Sequence, residues 1–144
     1  MKSRIFALIL SIVLVLGMFS GCSGGSSEEP DVIKIGVFEP MTGANASGGQ
    51  MTVEGIKLAN EKYPEVLGKK IELVIADNKS EKVEAANAAS KLIEKDKVVA
   101  IIGSYGSSLS MAAGDIVKNE KVPAVGCSPT NPLVTLDNDY YFRV

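Results

Sequence analysis

A doubly wound α/β sheet is the fold class this sequence predicts, and three observations predict it. Short β-branched apolar runs alternate with stretches whose apolar residues recur at helical spacing. The run VVAIIG, residues 98–103, is apolar on both faces, which suits the centre of a parallel sheet covered on both sides. Three segments that follow strands are crowded with glycine, serine, threonine and proline. The resulting β-α-β-α-β-α-β order calls for right-handed crossovers.

The elements follow in order. VIKIGVF, residues 32–38, reads as the first strand, and Thr52, Ile56, Ala59 and Tyr63 then fall on one helical face. Pro64 and Gly68 end that helix. KIELVIA, residues 70–76, alternates and then runs apolar, as a second strand. Asp77-Asn78 turns the chain, and Asn78 with Glu81 three residues on predicts a helix start. Ala85, Ala86, Ala89, Leu92 and Ile93 supply that helix's apolar stripe. After the third strand, Leu109, Ala112, Ala113, Ile116 and Val117 match the spacing of a third helix. VPAVG, residues 122–126, is a fourth strand despite Pro123, and YYFRV, residues 140–144, is a candidate fifth.

The first residues stand apart from this pattern. Lys2 and Arg4 precede an uncharged apolar run over residues 5–19, then Ser20, Gly21 and Cys22. A basic start, a short apolar core and small residues form an export signal; the run is shorter than the roughly 20 residues a spanning helix needs. Phe19-Ser20-Gly21-Cys22 resembles a bacterial lipobox, with Phe19 where leucine is usual. That resemblance implies cleavage before Cys22 and lipid attachment to it. Residues 1–21 are thus expected to be a lipoprotein signal peptide and residues 22–31 a flexible tether, SGGSSEEP being small and polar. Residues 32–144 are expected to form the folded lobe, on the extracytoplasmic side of the cell membrane.

Composition narrows the chemistry. The formal charge of −2 carries no basic patch, which argues against nucleic acid. Histidine is absent, which excludes Ser-His and Cys-His nucleophiles within these 144 residues and removes the commonest ligand of catalytic zinc. Cys127, at the end of an apolar run, reads as a buried, inert thiol. No catalytic residue, metal or cofactor is assigned.

In open parallel sheets ligands sit beyond the carboxyl ends of the strands, at the switch in strand order. That rule selects EPMTGANASGGQ, GSYGSSLS and CSPTNP, which follow strands one, three and four. Gly103 and Gly106 permit a tight turn and a close approach by a ligand. Ser107 or Ser108 is expected to cap the next helix, whose free amides and dipole favour an anion, a small carboxylate included. GSYGSS lacks the lysine of a phosphate-binding P-loop, and no G-x-G-x-x-G follows strand one.

VIKIGVFEPMTG, the DN after strand two, the block ending KDKVVAIIGSYGSS, KVPAVGCSPTNP and the terminal YYFRV together resemble the solute-binding proteins of branched-chain amino acid ABC transporters. The resemblance runs from Val32 to the end and rests on order and spacing. It implies the type I periplasmic binding protein architecture, two Rossmann-like lobes closing on a ligand, with permease and ATPase subunits as partners. By position it implies that Ser107, helped by Ser108, binds an amino acid's α-carboxylate, and that Ser128 and Thr130 hold its ammonium and carboxylate groups. The aromatic that some members of the family place in the loop after strand one is missing, and Tyr105 is the residue that could partly replace it. Family chains run to more than twice this length, so the sequence reads as the amino-terminal lobe alone, a fragment not expected to bind tightly by itself. Alternatives are a receptor for another small polar ligand such as an amide or urea, an exported hydrolase using Ser107 or Cys127, and a purely structural surface lipoprotein.

Overall fold

The structure, a computed structural model, describes residues 32–144. The signal peptide, Cys22 and the tether expected over residues 1–31 lie outside the described residues. The elements are β1 (Val32–Glu39), α1 (Ala46–Lys62), β2 (Glu65–Val66), β3 (Lys69–Asp77), α2 (Lys82–Glu94), β4 (Ala100–Ile102), α3 (Ser107–Glu120), β5 (Ala124–Gly126), a 3-10 turn (Pro132–Val134) and β6 (Tyr141–Arg143). They build one six-stranded sheet in the order β2-β3-β1-β4-β5-β6. Every pairing is parallel except the short β2, which runs antiparallel to β3. The doubly wound α/β fold expected from the sequence is present, with that one antiparallel edge added. Pro64 does end α1, but the chain folds straight back through β2 to reach β3.

β1 is the hinge of the topology. It pairs with β3 over all eight residues, from Val32 opposite Lys70 to Glu39 opposite Asp77, and with β4 on its other side. The chain therefore passes from one side of β1 to the other between β3 and β4, and the switch point opens between the ends of β1 and β4.

Alternation along the strands separates two faces. Phe38, Ile101 and Ala124 turn toward α2 and α3, where they join Ala85, Ala89, Leu92, Ala113 and Val117 in the core. Ala88 takes the buried place on α2 expected for Ala86, a shift of two positions around the same helix. Ile35, Leu73, Ile102 and Val125 face the other way and line an apolar groove of about 700 Å³ along α1, opposite Thr52, Ile56, Ala59 and Tyr63. The one-faced pattern read in α1 is present, but much of the sheet beside it is open rather than covered.

Asn78 does not cap α2. Its side chain is fully buried, and Glu81, with extended backbone and no side-chain cap bond, occupies the cap position. Asn78 Oδ1 instead accepts the Ser80 amide, a local turn that competes with helix formation. The preceding Asp77 ties β3 to the loop after β1: Oδ1 accepts the amides of Met41 (2.9 Å), Thr42 (3.2 Å) and Lys79 (2.7 Å), and Oδ2 accepts the Thr42 hydroxyl (2.7 Å). Desolvation pushes its pKa up, but these bonds outweigh it and hold the carboxyl below its ordinary 3.8.

Asp77→Ala should lower the unfolding free energy by roughly 2 kcal/mol, since charge-assisted bonds are lost and amides left without an acceptor. Urea titration should show this near neutral pH. A depressed pKa stabilises above the unfolded value and the effect fades as the folded carboxyl protonates, so the deficit should shrink as pH falls below 3.8.

Candidate functional site

Three loops meet above the carboxyl ends of β1, β4 and β5, at the switch point. The loop after β1 is shorter than the sequence suggests, because Ala46 to Gln50 already form the first turns of α1. Besides Asp77, Ser80 anchors it: Ser80 Oγ donates to the Thr42 carbonyl at 2.8 Å and accepts the Asn45 amide at 2.9 Å.

The loop after β4 is fixed from below and behind. Gly103, at φ 138°, lies so close to β1 that a Cβ would stand 2.3 Å from the Phe38 carbonyl oxygen. The close approach expected of this glycine is therefore made by the neighbouring strand. The Gly103 carbonyl accepts the Tyr141 hydroxyl at 2.6 Å, and burial pushes that phenol well above its ordinary pKa. Ser104 is fully buried, receiving Asn78 Nδ2 at 2.8 Å on its hydroxyl; its amide donates to Ser110 Oγ at 3.2 Å. The Tyr105 amide donates to Glu39 Oε2 at 2.7 Å.

Neither Ser107 nor Ser108 caps α3. Gly106 is the cap residue, at φ 99°, and no side chain bonds the helix start. Its carbonyl accepts the Leu109 and Ser110 amides, so the serines are the first two helical residues and their own amides precede the intrahelical ladder. A residue with φ in this range is most easily glycine, and that requirement moved the boundary one residue earlier. Ser107 Oγ accepts the Asn131 amide at 3.2 Å, which joins the α3 start to the loop after β5. Ser108 is exposed beside it.

The loop after β5 carries Ser128 and Thr130, both exposed. Arg143 braces it from β6, donating to the Thr130 carbonyl at 2.8 Å and the Pro129 carbonyl at 3.4 Å. Asn131 also accepts the Leu133 amide on Oδ1, capping the 3-10 turn. Thr130 thus adjoins the residue that bonds Ser107, and the four residues singled out in the sequence lie on two adjoining, hydrogen-bonded loops. Tyr105 is partly exposed, its ring packed on Gly48 near the start of α1, where a Cβ would stand 2.4 Å from Cζ. This ring links the β4 loop to α1, a closer role than a free surface tyrosine.

Cys127 is exposed at the end of the apolar groove, contrary to the buried thiol expected, because the face it points to is the open one. Desolvation pushes its thiol pKa up, and the nearby Glu39 charge adds to this, which disfavours the nucleophilic thiolate. Among the described residues no group of three His, Cys, Asp or Glu could hold a metal ion.

Sequence reasoning missed Glu39, Asn131 and Arg143, gave Asp77 only a turn, and gave Asn78 a turn and a helix start. Glu39 is fully buried at the end of β1, its Oε1 has no partner, and desolvation, partly offset by the Tyr105 amide, raises its pKa to about 7. A lone acid closing an apolar strand was the available signal.

The chain is similar to an amino acid binding protein of Pseudomonas aeruginosa, 34% identical over 126 residues covering 85% of this chain and 33% of the relative. Among solved structures, a leucine binding protein from Thermotoga maritima superposes with a TM-score of 0.76 at 49% identity, over 78% of this chain and 32% of that one. A solute binding protein of an ABC transporter from Rhodopseudomonas palustris, in complex with 3,4-dihydroxybenzoic acid, gives 0.76 at 32% identity, over 79% and 32%. The chain spans about a third of the length of these relatives. The family model described as periplasmic binding protein matches residues 32–144, the whole of the fold described above, and the chain belongs to that family.

Proposed function

We propose that this chain is the amino-terminal lobe of an extracytoplasmic solute-binding lipoprotein that captures an amino acid, a branched-chain one foremost, for an ABC transporter. The observation that carries the reading is the joining of the α3 start to the loop after β5 through Ser107 Oγ and the Asn131 amide. That contact sets a hydroxyl and the first amides of a helix beside a second polar loop. An α-carboxylate at the α3 start would receive the Ser107 hydroxyl proton and the amides of Ser107 and Ser108, with the positive end of the helix dipole behind them. The Ser128 carbonyl and Thr130 hydroxyl would accept from the ammonium group, and a second lobe would supply its acidic partner. Ser107 Oγ can accept from Asn131 and still donate its own proton, so the existing bond does not block the role.

The similarity to proteins named for amino acid and leucine binding supports this ligand class. The Rhodopseudomonas structure with 3,4-dihydroxybenzoic acid supports a second reading, an aromatic acid. Both ligands present a carboxylate, and Tyr105 beside the site could stack on an aromatic ring. An amide or urea would use the same polar loops without the charge-assisted bond. A hydrolase is the weakest reading, since no histidine is available to activate Ser107 or Cys127.

On this reading the remainder of a longer, two-lobed chain would cover the apolar groove beside α1. In such a full-length protein, Ser107→Ala should weaken amino acid binding by roughly 1.5–3 kcal/mol, about ten- to a hundredfold in dissociation constant by calorimetry. An unchanged constant would remove Ser107 from the site. A preference for aromatic acids over leucine in the same titrations would favour the second reading. Cys22→Ala should move the protein from the membrane fraction to the soluble one; retention in the membrane would overturn the lipid anchor.

A further inference from the structure

We propose that Glu39 is a positioning residue for the ligand loop after β4, its carboxyl holding the Tyr105 amide and thereby the turn from which Ser107 and Ser108 project. The meaning of this for ligand binding rests on the function proposed above; the positioning itself does not.

Three observations carry it. Glu39 is fully buried and its Oε2 receives the Tyr105 amide at 2.7 Å, a bond spanning 66 residues of sequence. Its other oxygen, Oε1, is buried without a partner. The loop it grips is held at Ser104 by Asn78 and Ser110 and packs the Tyr105 ring on Gly48, whereas at Gly106, φ 99°, the nearest side chain to a built Cβ, Leu109, stands at 3.7 Å. The Tyr105 amide is thus where the buried end of β1 holds the backbone of this turn by a hydrogen bond.

The surroundings determine how the grip responds to pH. Asp77 is the register partner of Glu39 on β3, but its carboxylate is turned to the amides of Met41, Thr42 and Lys79. The Cys127 thiol after β5 and the Tyr141 phenol of β6 both feel the Glu39 charge, and the first turn of α1 carries no acidic residue. Tyr105 itself brings a phenol on the β4 loop. Among the described residues no cation contributes to the Glu39 environment, so desolvation is unopposed except by one amide. The neutral acid satisfies Oε2 and leaves a hydroxyl on Oε1. Ionisation strengthens the bond to Tyr105 but strands a charge on Oε1. A raised pKa stabilises the fold fully below the ordinary 4.5, and that contribution is lost as pH rises to about 7.

The test uses the full chain, isotope-labelled, with no ligand, so its failure is separable from failure of the binding reading. The Tyr105 amide resonance should titrate with a midpoint about 7, while Leu109 and Ser110 amides, held by Gly106, should move far less. Glu39→Gln keeps an acceptor for Tyr105 and removes the titration: its Tyr105 amide should stay protected from exchange and become flat with pH. The same substitution should abolish the loss of denaturant stability between pH 4.5 and about 7. Glu39→Leu removes the acceptor, and Tyr105 exchange should accelerate by at least about tenfold. If the leucine variant does not fold, the glutamine variant still decides. A wild-type Tyr105 amide that does not respond to pH near 7, or one that titrates equally in Glu39→Gln, would overturn the proposal.

Discussion

Parallel strands deliver their loops to one edge of a sheet, and those loops have no ladder of their own to hold them. Here Asp77 and Asn78, two consecutive polar residues at the end of β3, hold two of the three. Asp77 gathers the backbone of the β1 loop through amides of Met41 and Thr42, and Asn78 reaches under the sheet edge to the buried Ser104 of the β4 loop. Both hold because their bonds are satisfied: Asp77 has four donors on its two oxygens, and buried Asn78 bonds through both its oxygen and its nitrogen. The geometry of the candidate site rests on this pair, since Asn78 holds Ser104, whose amide and carbonyl both bond Ser110 Oγ in the first turn of α3.

The rest of the scaffold secures the same edge from the opposite side. Tyr141 and Arg143 lie two residues apart on β6, so their side chains leave the same face of the strand. Tyr141 holds the Gly103 carbonyl and Arg143 holds the Thr130 and Pro129 carbonyls. The last strand of the chain therefore braces the loops after β4 and β5 together. The buried Tyr141 contact favours one loop arrangement over others, because breaking it would strand a polar group away from water.

A polar crest and an apolar flank make this lobe asymmetric. The α2 and α3 face is closed by alanine, leucine and valine, whereas the α1 face leaves Ile35, Leu73, Ile102 and Val125 lining a groove.

The sequence by itself determined the order of strands and helices, the parallel sheet and the three loops, since periodicity and the glycine, serine and proline clusters are local properties. It also placed Ser107, Ser108, Ser128 and Thr130 on those loops. It could not determine that Gly106, and neither serine, caps α3, because that follows from the φ of 99° that Gly106 adopts in the folded turn. Nor could it foresee that Asn78 would turn inward, that Cys127 would face an open groove, or that Glu39 would be sealed beneath Tyr105. Those outcomes depend on partners 26 or more residues away, such as Ser104 for Asn78 and Tyr105 for Glu39, and burial and hydrogen bonding with distant residues exist only once the sheet has formed.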